Sequence, residues 1–336
     1  MSGVRRGRGD PIVDRRSFLG AVASGLSAAP WAAVGQQPNR MPRLGILRLS
    51  PPRASYENAF VEALKDEGYV VGRNLAIDDR HADGNPQRLP ALAIELTRVP
   101  VTAIFARGVQ ALAAAKQATS TIPIVAFDDV TDPVQGGYVT SLAHPDGNVT
   151  GVFVDLPELA GKWLELLTEV VPRLARVAVL WDPSTGTLQR DAVQSAARAL
   201  GKELQLLEVE DALGFEKAFA IARRASSDAI LVMSSPLMRI NGKRIAEFAL
   251  QARLAAVAPY RDFPEVGGLM SYGPYLPAWF RRCGVQLAKI FRGAQPGELP
   301  IERPDRFELI VNAQTVKALR MTIPQSLLVR ADEVVN

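Results

Sequence analysis

The feature that most limits what this chain can fold into is an alternation that runs twice. Short apolar runs with strand character take turns with segments whose apolar residues recur at helical spacing, and the pattern is interrupted once, over residues 122–171. Strands are expected at 43–49, 75–80 and 102–106 before the interruption and at 124–127 where it opens. Between them lie a stripe of Tyr56, Phe60, Ala63 and Leu64, a second of Leu89, Leu92, Ala93 and Leu96, and an Ala-rich helix at 109–118. After it, strands at 176–181, 204–209, 229–233 and 255–259 alternate with helices at 188–200, 215–224 and 240–253. Strand–helix–strand series of this kind predict parallel sheets covered by helices on both faces. The expected fold class is therefore α/β: two doubly wound parallel-sheet lobes.

The interrupting stretch begins as a buried strand and passes through turn-rich segments. It re-emerges as an extended run at 148–154 and then enters a helix with Leu159, Trp163, Leu164, Leu167 and Val170 on one face. A segment like this between two α/β halves has the character of a hinge. The expected domain plan gives residues 41–152 to the first lobe, with about 268–295 returning to it. Residues 153–267 go to the second, with about 300–336 packing on that lobe or on the hinge. A returning tail makes the hinge multi-stranded.

Composition bears on compartment and partners. Of the net charge of +4, residues 1–35 supply +3, from five arginines against Asp10 and Asp14, which leaves about +1 for the rest. A body so near neutrality lacks the basic face that nucleic acid requires. The first 35 residues read as an export signal: a basic segment, the pair Arg15-Arg16 followed by Ser17-Phe18-Leu19, an Ala/Gly-rich run, and small residues before Gln36. The paired arginines ahead of Phe-Leu resemble a twin-arginine signal. These features lead to the expectation of a periplasmic, monomeric protein that is soluble once the signal is removed. Cys283, the one cysteine, falls on an apolar helical stripe and reads as a small core residue.

Signatures of catalysis and of cofactor binding are missing. The sequence has no Gly-rich phosphate loop, no Gly-x-Ser-x-Gly nucleophile elbow, and only His81 and His144, neither at metal-ligand spacing. No cofactor, metal or catalytic residue is assigned. What remains is geometry: parallel α/β sheets bind ligands beyond the carboxyl ends of their strands. Residues at those ends are Ser50, Tyr56, Arg107, Gly108, Asp128 and Asp129 in the first half. The second half supplies Trp181, Asp182, Ser234 and Tyr260, with Asp155 at the crossover and Tyr272 at the return. Arg48 also stands after the first strand. Asp132 before Pro133 reads as a helix N-cap.

Several motifs carry a family resemblance: Asp132-Pro133-Val134; the run from Ser141-Leu142-Ala143-His144-Pro145-Asp146-Gly147 through Asn148-Val149-Thr150-Gly151-Val152; Gly267-Gly268-Leu269-Met270-Ser271-Tyr272-Gly273; and a closing series from Phe307-Glu308-Leu309 through Ile323-Pro324 to Arg330-Ala331-Asp332-Glu333. On these the chain resembles the substrate-binding proteins of ABC transporters with a type I periplasmic-binding fold, in the group that includes tryptophan- and aromatic-amino-acid-type binders. The resemblance implies two lobes with a small-molecule ligand between them, delivery to an ABC permease in the membrane, and no chemistry. Arg48 and Arg107 stand where such proteins often carry small residues, which turns the expectation toward a carboxylate-bearing solute, amino acids and aromatic acids included. An exported enzyme using the same cleft and a periplasmic sensing subunit are the alternatives.

Overall fold

A computed structural model describes residues 41–51 and 54–336. The export-signal reading falls on residues 1–35 and lies outside them. The first sheet has five strands, β1 (Arg43–Arg48), β2 (Ala76–His81), β3 (Ala103–Arg107), β4 (Ile124–Asp128) and β5 (Val149–Phe153). Their order is β2-β1-β3-β4-β5, with all pairs parallel. The second sheet has seven: β6 (Arg176–Trp181), β7 (Glu203–Glu208), β8 (Ala229–Val232), β9 (Ala255–Ala258), β10 (Met270–Pro274), β11 (Phe307–Asn312) and β12 (Glu333–Val335). Their order is β12-β11-β10-β9-β8-β6-β7, parallel except for the antiparallel pair β10–β11.

Strand pleating sorts each strand's side chains between two cores. In the first sheet Leu44, Ile46, Phe105, Val125 and Phe127 face one layer, and Leu47, Ile104, Ala106, Ile124 and Ala126 face the other. The second sheet divides the same way, with Val177, Val179 and Leu231 on one side and Ala178, Leu180, Ile230 and Val232 on the opposite one. Burial on both faces explains why these strands read as continuous apolar runs and not as alternating ones. Helix Leu89–Arg98 buries the stripe its spacing predicted, Leu89, Leu92, Ala93 and Leu96.

Among the described residues the chain passes between the lobes three times. The first crossing follows β5 and leads into helix Ala160–Val170. The second follows β10, which lies in the second sheet, while the next helix, Leu276–Phe291, packs on helix Ala54–Asp66 of the first lobe. In the third, residues 299–302 run beside β5 before the chain enters β11. The Phe153 amide donates to the Glu302 carbonyl (3.0 Å), and the Glu302 amide to the Gly151 carbonyl (2.9 Å). Gly151 has φ +139°, and a Cβ there would run into the Ala126 carbonyl. That position therefore requires glycine.

Three details differ from the sequence reading. Asp132 begins a series of turns and not a helix; its carboxylate accepts from the amides of Val134 (2.8 Å) and Gln135 (2.9 Å). The helix expected at 240–253 is two helices, Pro236–Ile240 and Gly242–Ala252. Helix Gln325–Arg330 and strand β12 had no counterpart in the sequence reading, both being too short to show a period.

Candidate functional site

The carboxyl ends of β1, β3 and β4 face the segments that follow β6 and β8 across a cleft. Its lining includes Arg48, Ser50, Arg107, Gly108, Gln110, Phe127 and Asp129 from the first lobe, Phe280 from the helix that returns to it, and Thr185, Ser234, Ser235 and Arg239 from the second. The unfilled space is about 760 Å³, part of it open to solvent.

The first-lobe wall is built on shared charge. Glu57, one residue past Tyr56 on helix Ala54–Asp66, pairs with both Arg48 (2.8 Å) and Arg107. Arg48 also pairs with Asp79 on the neighbouring strand β2. The Arg107 guanidinium lies 4.6 Å from the Phe280 ring centroid. Burial pushes the Arg107 pKa down to about 10; Glu57 opposes this, and the positive charges of Arg48 and Arg239 add to the depression. Arg107 is thus a buried cation that shares the Glu57 carboxylate with Arg48. Gly108 follows it with φ +90°, a conformation that suits glycine, and opens helix Val109–Ala118.

Across the cleft, Ser235 caps helix Pro236–Ile240 by accepting from the Met238 amide (3.1 Å). This helix carries Arg239 into the cleft wall. The Arg239 guanidinium lies 4.7 Å from the Tyr260 ring centroid and 5.3 Å from that of Tyr56, and it pairs with Asp262 at 3.3 Å. Burial works against its charge, but Asp262, Tyr56, Tyr260 and Asp129 together outweigh that and hold it above the ordinary arginine value.

Two polar links cross between the lobes. Asp129 accepts hydrogen bonds from the Ser234 hydroxyl (2.7 Å) and from the Tyr260 hydroxyl. No Lys or Arg among the described residues lies within salt-bridge distance of it. Gln110 donates to the Ser184 hydroxyl at 3.2 Å. Ser234 is itself held by Gln189, whose amide group donates to the Ser234 carbonyl (2.9 Å) and accepts from its N–H (3.0 Å). The Tyr260 phenol is raised well above its usual pKa by burial and by the charge of Asp129, so it remains a donor.

A family described as ABC transporter substrate binding protein matches residues 50–335. The chain belongs to that family. A tyrosine-binding protein of Clostridioides difficile (strain R20291) is 26% identical over 288 residues, covering 83% of this chain and 81% of that protein. Two solved structures share the fold. A conserved domain protein of Vibrio cholerae has a TM-score of 0.82 at 23% identity, over 88% of this chain and 99% of that one. An ABC domain from Streptococcus pneumoniae in complex with L-Trp has a TM-score of 0.80 at 21% identity, with the same coverage.

In this ABC transporter substrate-binding protein the residues singled out from sequence fall into three groups. Ser50, Arg107, Gly108, Asp129 and Ser234 line the cleft. Tyr56 and Tyr260 stand behind it, in contact with Arg239, and Tyr56 also stacks on Phe280 at 5.4 Å between centroids. The other five lie outside the cleft lining. Asp128 is fully buried and accepts from the amides of Val130 (2.9 Å) and Thr131 (3.1 Å). Asp155 pairs with Arg303 (3.1 Å) at the first crossing. Trp181 donates to the Gly186 carbonyl (3.0 Å) under the Arg190 guanidinium, and Asp182 caps a turn by accepting from the Ser184 amide (2.9 Å). Tyr272 stacks on Phe307, and its carbonyl accepts from the Trp163 indole (2.7 Å). Glu57, Arg239 and Phe280 were missed. A signal for Arg239 stood in the sequence: Ser235-Pro236 is an N-cap followed by proline at the first helical position.

Proposed function

We propose that this protein is the exported solute-binding component of an ABC importer and that it captures an amino acid between its lobes. One observation carries the reading. A single cleft presents a carboxylate, Asp129, whose partners are hydroxyl groups, and a buried guanidinium, Arg107, that shares the Glu57 carboxylate with Arg48. An α-ammonium group suits the first and an α-carboxylate the second, through charge-assisted hydrogen bonds. The first amides of helix Val109–Ala118 add donors for the carboxylate, since the opening N–H groups of a helix have no partners within it. The tyrosine-binding relative and the L-Trp complex support an amino acid over a sugar. Phe127 and Phe280, both at the cleft wall, are apolar surfaces for a side chain.

Calorimetric titration of the purified protein with an amino-acid series, with matched amines lacking the carboxylate and with matched acids lacking the amine, tests this. Amino acids should bind at least 100-fold more tightly than either analogue, about 2.7 kcal/mol. Binding of neutral sugars alone would overturn the reading. Export is proposed on the Arg15-Arg16 pair and the Ala/Gly-rich run after it, with the mature chain starting near Gln36. Replacing Arg15 and Arg16 by lysine should leave the precursor in the cytoplasm, and full export of that variant in a strain without twin-arginine translocation would exclude the route.

A further inference from the structure

A second space lies directly behind the cleft, in the second lobe. Met233, Met238, Ala258 and Phe263, all buried, are among its lining, with Ile240 and Val266 exposed at its mouth. The unfilled volume is about 560 Å³, part of it open to solvent. Three residues line both spaces: Ser234, Arg239 and Ile240. Ser234 is fixed by Gln189, and Ile240 closes the short helix. Arg239 is the long side chain of the shared wall. Its guanidinium is held by the Tyr56 and Tyr260 rings and by Asp262, which itself lines the second space.

We propose that Arg239 is a partition between the cleft and a partly apolar side chamber, and that it sets the length of side chain an amino-acid ligand can carry. The inference rests on the amino-acid reading above. With Arg239 in place, the ligand's side chain ends against the guanidinium. An apolar side chain long enough to reach the chamber would have to displace a cation that is desolvated, ion-paired and stacked, and such a cation moves at a high cost. Beyond the partition the thioether and aromatic groups of Met233, Met238 and Phe263 line the space, with Asp262 and Lys243 also in its lining. Unbranched aliphatic, thioether and aromatic groups match such a lining, because methionine side chains adapt their shape to what they contact. Shortening Arg239 therefore lengthens the site instead of only weakening it.

The test uses Arg239→Ala and Arg239→Met, each alone and combined with Ala258→Leu, which puts a larger side chain into the chamber lining. Affinities are measured by calorimetry for alanine, norleucine, methionine, phenylalanine and tryptophan. Relative to alanine, Arg239→Ala should gain at least tenfold for the long side chains, and Ala258→Leu should cancel that gain. Arg239→Met, which keeps a long side chain in the wall, should gain less. Indole serves as a probe with no amino or carboxyl group. It should bind Arg239→Ala at least tenfold more tightly than the unaltered protein, and Ala258→Leu should remove that binding too. If no amino acid binds any of the proteins but indole follows this pattern, the partition stands and the amino-acid reading fails. An equal loss for every amino acid in Arg239→Ala, or indole binding unaffected by Ala258→Leu, overturns the partition.

Discussion

Asp129 and Tyr260 come from opposite lobes, and the Tyr260 hydroxyl donates a hydrogen bond to the Asp129 carboxylate. The Ser234 hydroxyl donates to the same oxygen at 2.7 Å. In the proposed reading the carboxylate that meets the ligand's ammonium group is thus also the one that links the lobes. A ligand favours the closed form only through contacts it gains there. Removing the Tyr260 hydroxyl by Tyr260→Phe should weaken ligand affinity by about tenfold or more, the effect of one hydrogen bond to a charged group. Asp129→Asn should weaken it by a further factor, since it also removes the charge facing the ammonium. Calorimetry with a bound amino acid measures both, and Tyr260→Phe binding at full affinity would separate closure from this contact.

Glu57 makes a different demand. It is the shared partner of Arg48 and Arg107, whose side chains are only 4% and 13% exposed. Glu57→Gln would take this carboxylate from both guanidinium groups, leaving Arg48 with Asp79, and breaking a buried pair in this way costs about 3–5 kcal/mol. The melting temperature should fall by on the order of 10 °C. A ligand carboxylate would replace part of the missing charge, so saturating ligand should protect the variant more than it protects the unaltered protein. Differential scanning calorimetry with and without ligand reads both quantities, and an unchanged melting temperature would count against the shared-charge wall.

The fold was legible because both faces of each sheet are covered, so the strands stand out as apolar runs between helical stripes. The site was legible only to the level of which loops form it. Asp128 and Asp129 are neighbours of the same type after the same strand, yet one is turned into its own loop to accept amide groups and the other faces the opposite lobe. Strand ends reverse direction residue by residue, and composition cannot say which residue faces out. Trp181 is turned away because its indole is satisfied within its own lobe by the Gly186 carbonyl. Arg239 was overlooked because its five-residue helix is too short to show a period and its residues merge with the helix that follows.

Asp128 gives the stability of the protein a pH dependence of its own. Burial, then the charge of Asp129, push its pKa up to about 6 from an ordinary 3.8, against the two amide hydrogen bonds that favour its charged form. Below pH ~4 the folded and unfolded chains both hold the proton, and the group has no effect. Between about pH 4 and 6 the folded chain keeps a proton that the unfolded chain has released, so this contribution to stability falls as pH rises. Above about pH 6 the full cost of ionising the buried carboxyl is present. Asp128→Asn keeps an oxygen for the Val130 and Thr131 amides and removes the charge. At pH 7.5 it should be more stable than the unaltered protein by on the order of 2 kcal/mol. The difference should vanish toward pH 4. Urea unfolding midpoints from pH 4 to 8 measure it, and a difference independent of pH would assign the change to something other than ionisation.

Any movement of the lobes would have to be absorbed at the crossings, where Arg303 gathers three carboxylates. It lies 3.1 Å from Asp155, 3.7 Å from Glu158 and 3.7 Å from Asp132. Asp155 holds φ +42°, a left-handed conformation that costs a non-glycine residue about 1–2 kcal/mol. Burial, then the charge of Glu158, raise the Asp155 pKa, while Arg303 opposes them. Arg303→Ala would leave the carboxylates facing one another beside a strained residue. Because Arg303 is about one-third exposed, its loss should be modest, on the order of 0.5–1 kcal/mol, or about a two- to fivefold drop in ligand affinity at pH 8. Asp155 takes up a proton at higher pH than an ordinary aspartate, and more readily still without Arg303, so the repulsion should fade on acidification. The affinity ratio between variant and unaltered protein should therefore be closer to one at pH 5 than at pH 8. Calorimetry at pH 5 and pH 8 decides the matter: an equal ratio at both would mean that Arg303 acts on the crossing through packing, without a part for its charge.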